Sequence, residues 1–188
     1  MLGGMRHVHW FSLVASVIGI VVSRPLVAGE RAVEGEDPFA VIAPLIGEWQ
    51  GTAQGEPGTG TARRSYARAL GDRFIHVRNE STYPPQEKNP KGEKHQDEGF
   101  ISFDRSRKTL VFRQFHTEGF VNQYVQQPGS PPQRIVFESE SIENIPAGWR
   151  ARETYLITGA DTFSETFELA EPGKEFMIYS RSRFTRVR

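Results

Sequence analysis

Residues 109–127 read TLVFRQFHTEGFVNQYVQQ, and this stretch indicates the fold of the chain most clearly. Runs rich in aromatic and β-branched residues lie on both sides of Thr117-Glu118-Gly119, as in two antiparallel strands joined by a three-residue turn. Gly119 suits the left-handed backbone position of that turn. The stretch therefore predicts a hairpin in which His116 pairs with Phe120, Gln114 with Asn122, and Phe112 with Tyr124.

The same alternation of strand-like runs and turn clusters continues through the chain. Clusters of Gly, Pro, Asp and Asn separate ten runs of strand character, at roughly 49–54, 61–70, 73–82, 95–103, 109–116, 119–127, 133–140, 149–158, 162–170 and 175–187. Closing such a sheet on itself removes its exposed edges. The prediction is therefore an all-β fold, an antiparallel up-and-down closed barrel of about ten strands, with one short N-terminal helix at 38–46.

A second hairpin can be registered from its loop at 158–162. The register pairs Ile157 with Phe163, Tyr155 with Glu165, Glu153 with Phe167, and Ala151 with Leu169. Successive side chains of a strand point to opposite faces, so each hairpin has one face that is mainly apolar with polar insertions.

The composition fits one packed domain without a strong electrostatic partner. The 188 residues are 37% hydrophobic and 24% charged, and the 23 acidic residues balance the 23 basic ones. This balance argues against a nucleic-acid partner. The chain has no cysteine, which excludes disulfides, thiolate metal sites and cysteine nucleophiles.

The N-terminal segment has the features of a targeting signal. A weakly basic start precedes the apolar run WFSLVASVIGIVV at 10–22, which is shorter than the roughly 20 residues that a membrane-spanning helix needs. We expect residues 1–28 to be a signal peptide, 29–37 a flexible leader and 38–188 the barrel domain. The protein would then be exported, periplasmic or secreted, and it would contact a membrane only if the signal segment stays uncleaved.

The polar insertions on the inward faces of the hairpins mark the candidate binding site. Buried polar groups without partners cost about 1–3 kcal/mol each, so these insertions indicate a cavity with water or a polar ligand group. Two alternatives are a dry network with arginines such as Arg78 or Arg181, and a register shifted by one residue. The predicted ligand-binding residues are Phe112, Gln114, His116, Asn122, Tyr124, Glu153, Tyr155, Glu165, Phe167 and Arg181.

Motifs for chemistry are weak. Phosphate-loop, dinucleotide, metalloprotease and nucleophile-elbow patterns are absent from the sequence. His95 and Asp97 should share a strand face, but zinc needs three or four ligands, so no metal site is predicted. Glu153 and Glu165 are diagonal neighbours, and one alternative is an enzyme using His116 with either glutamate as acid and base. A purely structural or envelope-interaction domain is another.

The stretch from Pro44 to Gly51 (PLIGEWQG), followed by Gly55, resembles the first strand of nitrobindin-like and fatty-acid-binding-protein-like barrels of the calycin superfamily. The resemblance implies that Trp49 plugs the barrel floor and that Gly47 and Gly51 let the first strand coil tightly. It also implies haem held by a histidine on a late strand. No histidine follows His116 here, so His76 or His116 would have to bind the iron.

These observations predict a non-catalytic, lipocalin-like barrel that binds a small hydrophobic or amphipathic molecule. A haem-binding protein of the nitrobindin type is the main alternative.

Overall fold

The structure is a computed structural model that describes residues 37–188. The predicted signal peptide, and all of the predicted leader except Asp37, lie outside these residues. Within residues 37–188, no helix has the length and apolar character required to cross a membrane.

The described chain forms a closed ten-stranded antiparallel barrel, which confirms the predicted all-β architecture. Each strand pairs with the next along the chain, and the last pairs with the first. The strands are β1 (Gly47–Gly55), β2 (Gly58–Ala69), β3 (Phe74–Tyr83), β4 (Glu93–Asp104), β5 (Thr109–His116), β6 (Val121–Gln126), β7 (Arg134–Glu143), β8 (Arg150–Gly159), β9 (Thr162–Ala170) and β10 (Met177–Arg186).

Both predicted hairpin registers are confirmed. In the β5–β6 hairpin Phe112 lies opposite Tyr124 and Gln114 opposite Asn122, and the amide of His116 donates to the carbonyl of Phe120. In the β8–β9 hairpin Tyr155 lies opposite Glu165, and all four predicted pairs are present. The polar insertions therefore do face inward, and the alternative of a shifted register is excluded.

The floor of the barrel is closed by the segment before β1. In the stretch predicted as a helix, 38–46, the structure has turns and a three-residue 3-10 helix, Ala43–Leu45. The buried indole of Trp49 donates a hydrogen bond of 2.7 Å to the carbonyl of Leu45. The Arg186 guanidinium lies over the same indole, 4.1 Å from its ring centroid, and donates to the carbonyl of Ile46 at 2.6 Å.

Gly51 is required by the close approach of β10 to β1. A Cβ atom at this position would lie 1.9 Å from the carbonyl oxygen of Arg183, so any larger residue would force the two strands apart. Gly47 has a φ of +132°, a backbone conformation that L side chains rarely adopt. These two constraints give a physical reason for the glycines on either side of Trp49.

The inward faces of the strands divide into an apolar floor and a polar upper layer. The floor carries packed aromatic rings, with Phe163 4.8 Å from Trp49 and 4.7 Å from Phe184 between ring centroids. The inward polar side chains lie further along the strands, toward the turn between β5 and β6. We call that end of the barrel the mouth, lined by His95, His116, Glu118, Phe120, Phe167 and Tyr179.

Candidate ligand-binding site

The structure places nine of the ten predicted site residues on the inward face of the wall. His116 and Phe167 are half-buried, and the other seven are buried: Phe112, Gln114, Asn122, Tyr124, Glu153, Tyr155 and Glu165. The prediction for Arg181 is wrong. Ser182 and Phe184 take the inward positions of β10, so alternation turns Arg181 out to solvent.

The interior cation is Arg64, which was not among the predicted site residues. Arg64 is 7% exposed, and its guanidinium binds Glu165 through two parallel hydrogen bonds, Nε to Oε2 at 2.9 Å and Nη2 to Oε1 at 2.6 Å. Burial alone would lower the pKa of the Arg64 guanidinium, but Glu165 raises it, so Arg64 stays charged. Arg78, considered above as a partner, lies outside and pairs with Glu98.

Glu153 is the second buried carboxyl group of this layer. The Tyr155 hydroxyl donates a hydrogen bond to it. Burial, and then the nearby charge of Glu165, raise the pKa of Glu153 well above its usual range. Because Arg64 is already paired with Glu165, Glu153 is the carboxyl group of the pair that carries the proton.

Asp97 organises the polar groups nearest the mouth. Its Oδ1 accepts hydrogen bonds from the Asn79 and Gln114 amide nitrogens, each at 2.7 Å. The two amide nitrogens are fixed by this carboxylate, so Asn79 Oδ1 and Gln114 Oε1 point elsewhere. Both oxygens are buried and have no partner among residues 37–188. Asn122 Oδ1 is also buried and unpaired. The upper layer therefore has an excess of hydrogen-bond acceptors.

Two histidines lie above Asp97. His95 Nε2 is 3.4 Å from Asp97 Oδ2 and 3.3 Å from His116 Nδ1, while His95 Nδ1 contacts Glu118 Oε1 at 2.8 Å. Burial lowers the pKa of His95, but Asp97 and Glu118 outweigh it and raise the pKa to about 9. Burial is the main reason that the pKa of His116 falls to about 4.

The predicted face-sharing of His95 and Asp97 is confirmed, and His116 lies beside them as a third group that could bind a metal. Asp97 lies directly opposite His116 in the β4–β5 pairing. The turn at 104–108 indicates in the sequence that these two strands pair, but the register of the pair was not predicted. If Asp104 pairs with Thr109, the antiparallel register places residue 97 opposite residue 116.

The mouth combines aromatic rings with acidic groups. The Phe120 ring stacks on the His116 imidazole at 4.0 Å, and Phe167 lies 5.8 Å from Tyr179 between ring centroids. Burial, and then Glu93, Glu118 and Glu56, raise the pKa of the Tyr179 hydroxyl. These acids favour the neutral form of Tyr179 at the mouth.

Deeper inside, the predicted ligand-packing aromatics pack on one another. The Phe112 ring lies 5.9 Å from the rings of Tyr124 and Phe137, and Phe137 lies 6.3 Å from Tyr155. Grooves of about 580 Å³ and 230 Å³ occur in the described structure, and outward side chains, such as Arg63 and Glu98 for the larger one, form most of their lining. The mouth is the part of the interior where the inward side chains are half-buried.

The geometry does not support the acid–base alternative. His116 contacts Asn122 and His95, whereas Glu165 is held by Arg64 and Glu153 by Tyr155. Haem does not fit the residues present either. Phe120 stacks on the His116 ring at 4.0 Å, and His95 and Asn122 contact its two nitrogens, which leaves no room for a porphyrin plane beside it. The only other described histidine considered for iron, His76, pairs with Glu98 on the outer wall.

Comparisons with known proteins show the fold alone. No protein-family model and no curated protein matches the chain. The crystal structure of Rv2717c from M. tuberculosis is similar, with a TM-score of 0.61 and 18% identity over 80% of this chain and 98% of that one. A de novo designed fluorescence-activating β-barrel matches 76% of this chain and 93% of its own at 12% identity, and its TM-score of 0.36 is too low to support an inference.

Proposed function

We propose that this protein is an exported, non-catalytic binding barrel for a small amphipathic molecule with an apolar body and a positively charged head that donates hydrogen bonds. The observation that carries the proposal is the set of buried, unpaired acceptors above the apolar floor. An acceptor buried without a partner costs about 1–3 kcal/mol, and a ligand donor would recover part of that cost.

The orientation of the buried side-chain amides favours a ligand head group that donates hydrogen bonds. Gln114 is 2% exposed, and its nitrogen is bonded to Asp97. Turning the amide over would place its oxygen against the Asp97 carboxylate, which is electrostatically unfavourable. Gln114 Oε1 therefore remains an acceptor, and the same reasoning applies to Asn79.

The mouth favours the same ligand class. Glu93 attracts a cation, and the half-buried rings of Phe120, Phe167 and Tyr179 offer apolar contact and cation–π contact. The apolar body of the ligand therefore contacts the rings at the mouth and not Phe112, Tyr124 and Tyr155.

Two dansyl probes that share one fluorophore test the head-group preference. Dansylcadaverine carries an ammonium group and dansylglycine a carboxylate. We expect saturable fluorescence enhancement with dansylcadaverine, and affinity at least about tenfold weaker for dansylglycine, a difference of about 1.4 kcal/mol. Equal affinity for both probes, or no saturable signal with either, would contradict the proposal.

Matched variants locate the probe. Phe167→Ala should weaken dansylcadaverine binding, whereas Phe115→Ala, which removes the same ring from the outer face of β5, should leave it unchanged. If the Phe115→Ala variant alone loses binding, the probe occupies the outer wall and the mouth is not the site.

Export is tested on the full chain expressed in a bacterial host. We expect the protein in the periplasmic fraction with an intact mass that begins at Gly29. Full-length protein in the membrane fraction would favour an uncleaved anchor.

A further inference from the structure

We propose that His95, Asp97 and His116 form a binding site for one divalent transition-metal ion of the zinc class. The three side chains each present one donor atom, and these atoms lie within 4.8 Å of one another. Metal binding at this site is separate from the small-molecule binding proposed above and does not require it.

Two of the three separations between donor atoms match a tetrahedral site, and the third is at most 4.8 Å. Zinc binds imidazole nitrogen and carboxylate oxygen at about 2.0–2.2 Å, so neighbouring ligand atoms of a tetrahedron lie about 3.3–3.5 Å apart. His95 Nε2 is 3.3 Å from His116 Nδ1 and 3.4 Å from Asp97 Oδ2. These separations leave space for a bare ion between the three atoms, whereas a haem iron brings a porphyrin plane with it.

Every one of the three ligands is held by an outer partner, which is the usual construction of protein metal sites. Glu118 Oε1 lies 2.8 Å from His95 Nδ1 and orients the His95 ring so that Nε2 faces the cluster. Asn79 and Gln114 occupy Asp97 Oδ1, which leaves Oδ2 for the ion. Asn122 contacts the far nitrogen of His116.

The Asn122 side chain can adapt to a metal ion on His116. Asn122 is 1% exposed, and its amide nitrogen lies 3.1 Å from His116 Nε2 while Oδ1 has no partner. A metal on His116 Nδ1 requires a proton on Nε2. Turning the Asn122 amide over places Oδ1 where it accepts that proton and the Tyr124 hydroxyl proton, so both groups are satisfied.

The set of two histidines and one carboxylate leaves a coordination position toward the mouth, because the His95 side chain is 25% exposed there. Imidazole with carboxylate suits Zn²⁺, Co²⁺ and Ni²⁺, whereas Mg²⁺ and Ca²⁺ prefer oxygen ligands. The site should therefore discriminate strongly against Mg²⁺ and Ca²⁺.

Titration of untagged, chelator-treated protein with Zn²⁺ in a calorimeter tests the site. We expect one equivalent to bind and no competition from millimolar Mg²⁺. With Co²⁺ as the probe, visible d–d bands typical of tetrahedral coordination should appear. His116→Ala and Asp97→Asn should each weaken Zn²⁺ binding by at least about 100-fold. Asn122→Leu, which keeps all three ligands, should weaken it by about 10–100-fold.

The control is His76→Ala, which removes a histidine–glutamate pair from the outer wall and should leave the titration unchanged. Asp97→Asn keeps the size of the side chain and an acceptor oxygen, and thermal unfolding without metal shows whether it folds. No Zn²⁺ binding by the wild-type protein overturns the proposal. Zn²⁺ binding at wild-type strength by the folded Asp97→Asn and His116→Ala proteins also overturns it.

Discussion

Replacing Arg64 with Met is expected to lower the free energy of unfolding by about 3–5 kcal/mol, the usual cost of leaving one member of a buried ion pair without its partner. The variant removes both hydrogen bonds to the Glu165 carboxylate and leaves that group buried near Glu153. It also removes the Nη1 hydrogen bonds to the carbonyls of Arg63 and Glu80. Urea unfolding followed by tryptophan fluorescence measures the change.

Arg63→Met is the matched control. Arg63 is the adjacent residue of β2, its side chain is exposed on the outer wall, and a surface substitution of this kind usually changes stability by less than about 0.5 kcal/mol. The double variant Arg64→Met/Glu165→Gln should recover a large part of the loss, because no uncompensated carboxylate remains. Equal stability of the Arg64 and Arg63 single variants would show that the interior ion pair does not form.

Replacing Glu153 with Gln is expected to make the barrel less sensitive to alkaline pH. The folded-state pKa of Glu153 is raised above its unfolded value of about 4.5, so the folded protein holds a proton that the unfolded chain releases. The wild-type protein therefore loses stability as the pH rises through the interval above 4.5. Gln cannot ionise, and its Oε1 still accepts the Tyr155 hydrogen bond.

The measurement is the difference in free energy of unfolding between the Glu153→Gln variant and the wild type at about pH 5 and about pH 8.5. We expect this difference to move in favour of the variant by at least about 2 kcal/mol, since the pKa of Glu153 rises to about 8 and each unit of pKa shift is worth about 1.4 kcal/mol. Glu168→Gln is the control. The Arg152 pair lowers the pKa of Glu168 below its unfolded value of about 4.5, so the difference for that variant should stay nearly constant between about pH 5 and about pH 8.5. A pH-independent difference for Glu153→Gln would mean that Glu153 does not hold a proton in the folded barrel.

The strand pattern and hairpin geometry can be predicted from the sequence because they depend on local rules. A three-residue turn at Thr117-Glu118-Gly119 fixes which residues of β5 and β6 face each other, and alternation then fixes the face. The same rules place Gln114, Asn122, Glu153 and Glu165 inside the barrel, and the structure confirms all four positions.

Contacts between distant strands do not follow from such rules. Arg64 and Glu165 are 101 residues apart in the chain, and no local pattern pairs them. Alternation with Ala62 and Tyr66 points Arg64 inward, but the neighbouring Arg63 makes the face ambiguous. The sequence does not place Arg181 correctly because neither registered hairpin includes β10, and the inward positions of that strand belong to Ser182 and Phe184.

The measurement that tests the central claim most directly is a crystal structure of the protein with dansylcadaverine bound. We expect the ammonium group within hydrogen-bond distance of Gln114 Oε1 or Asn79 Oδ1, with the dansyl ring against Phe167 and Tyr179 at the mouth. A probe seated in the outer groove beside Arg63 and Glu98, with the mouth side chains unchanged, would contradict the proposed binding site.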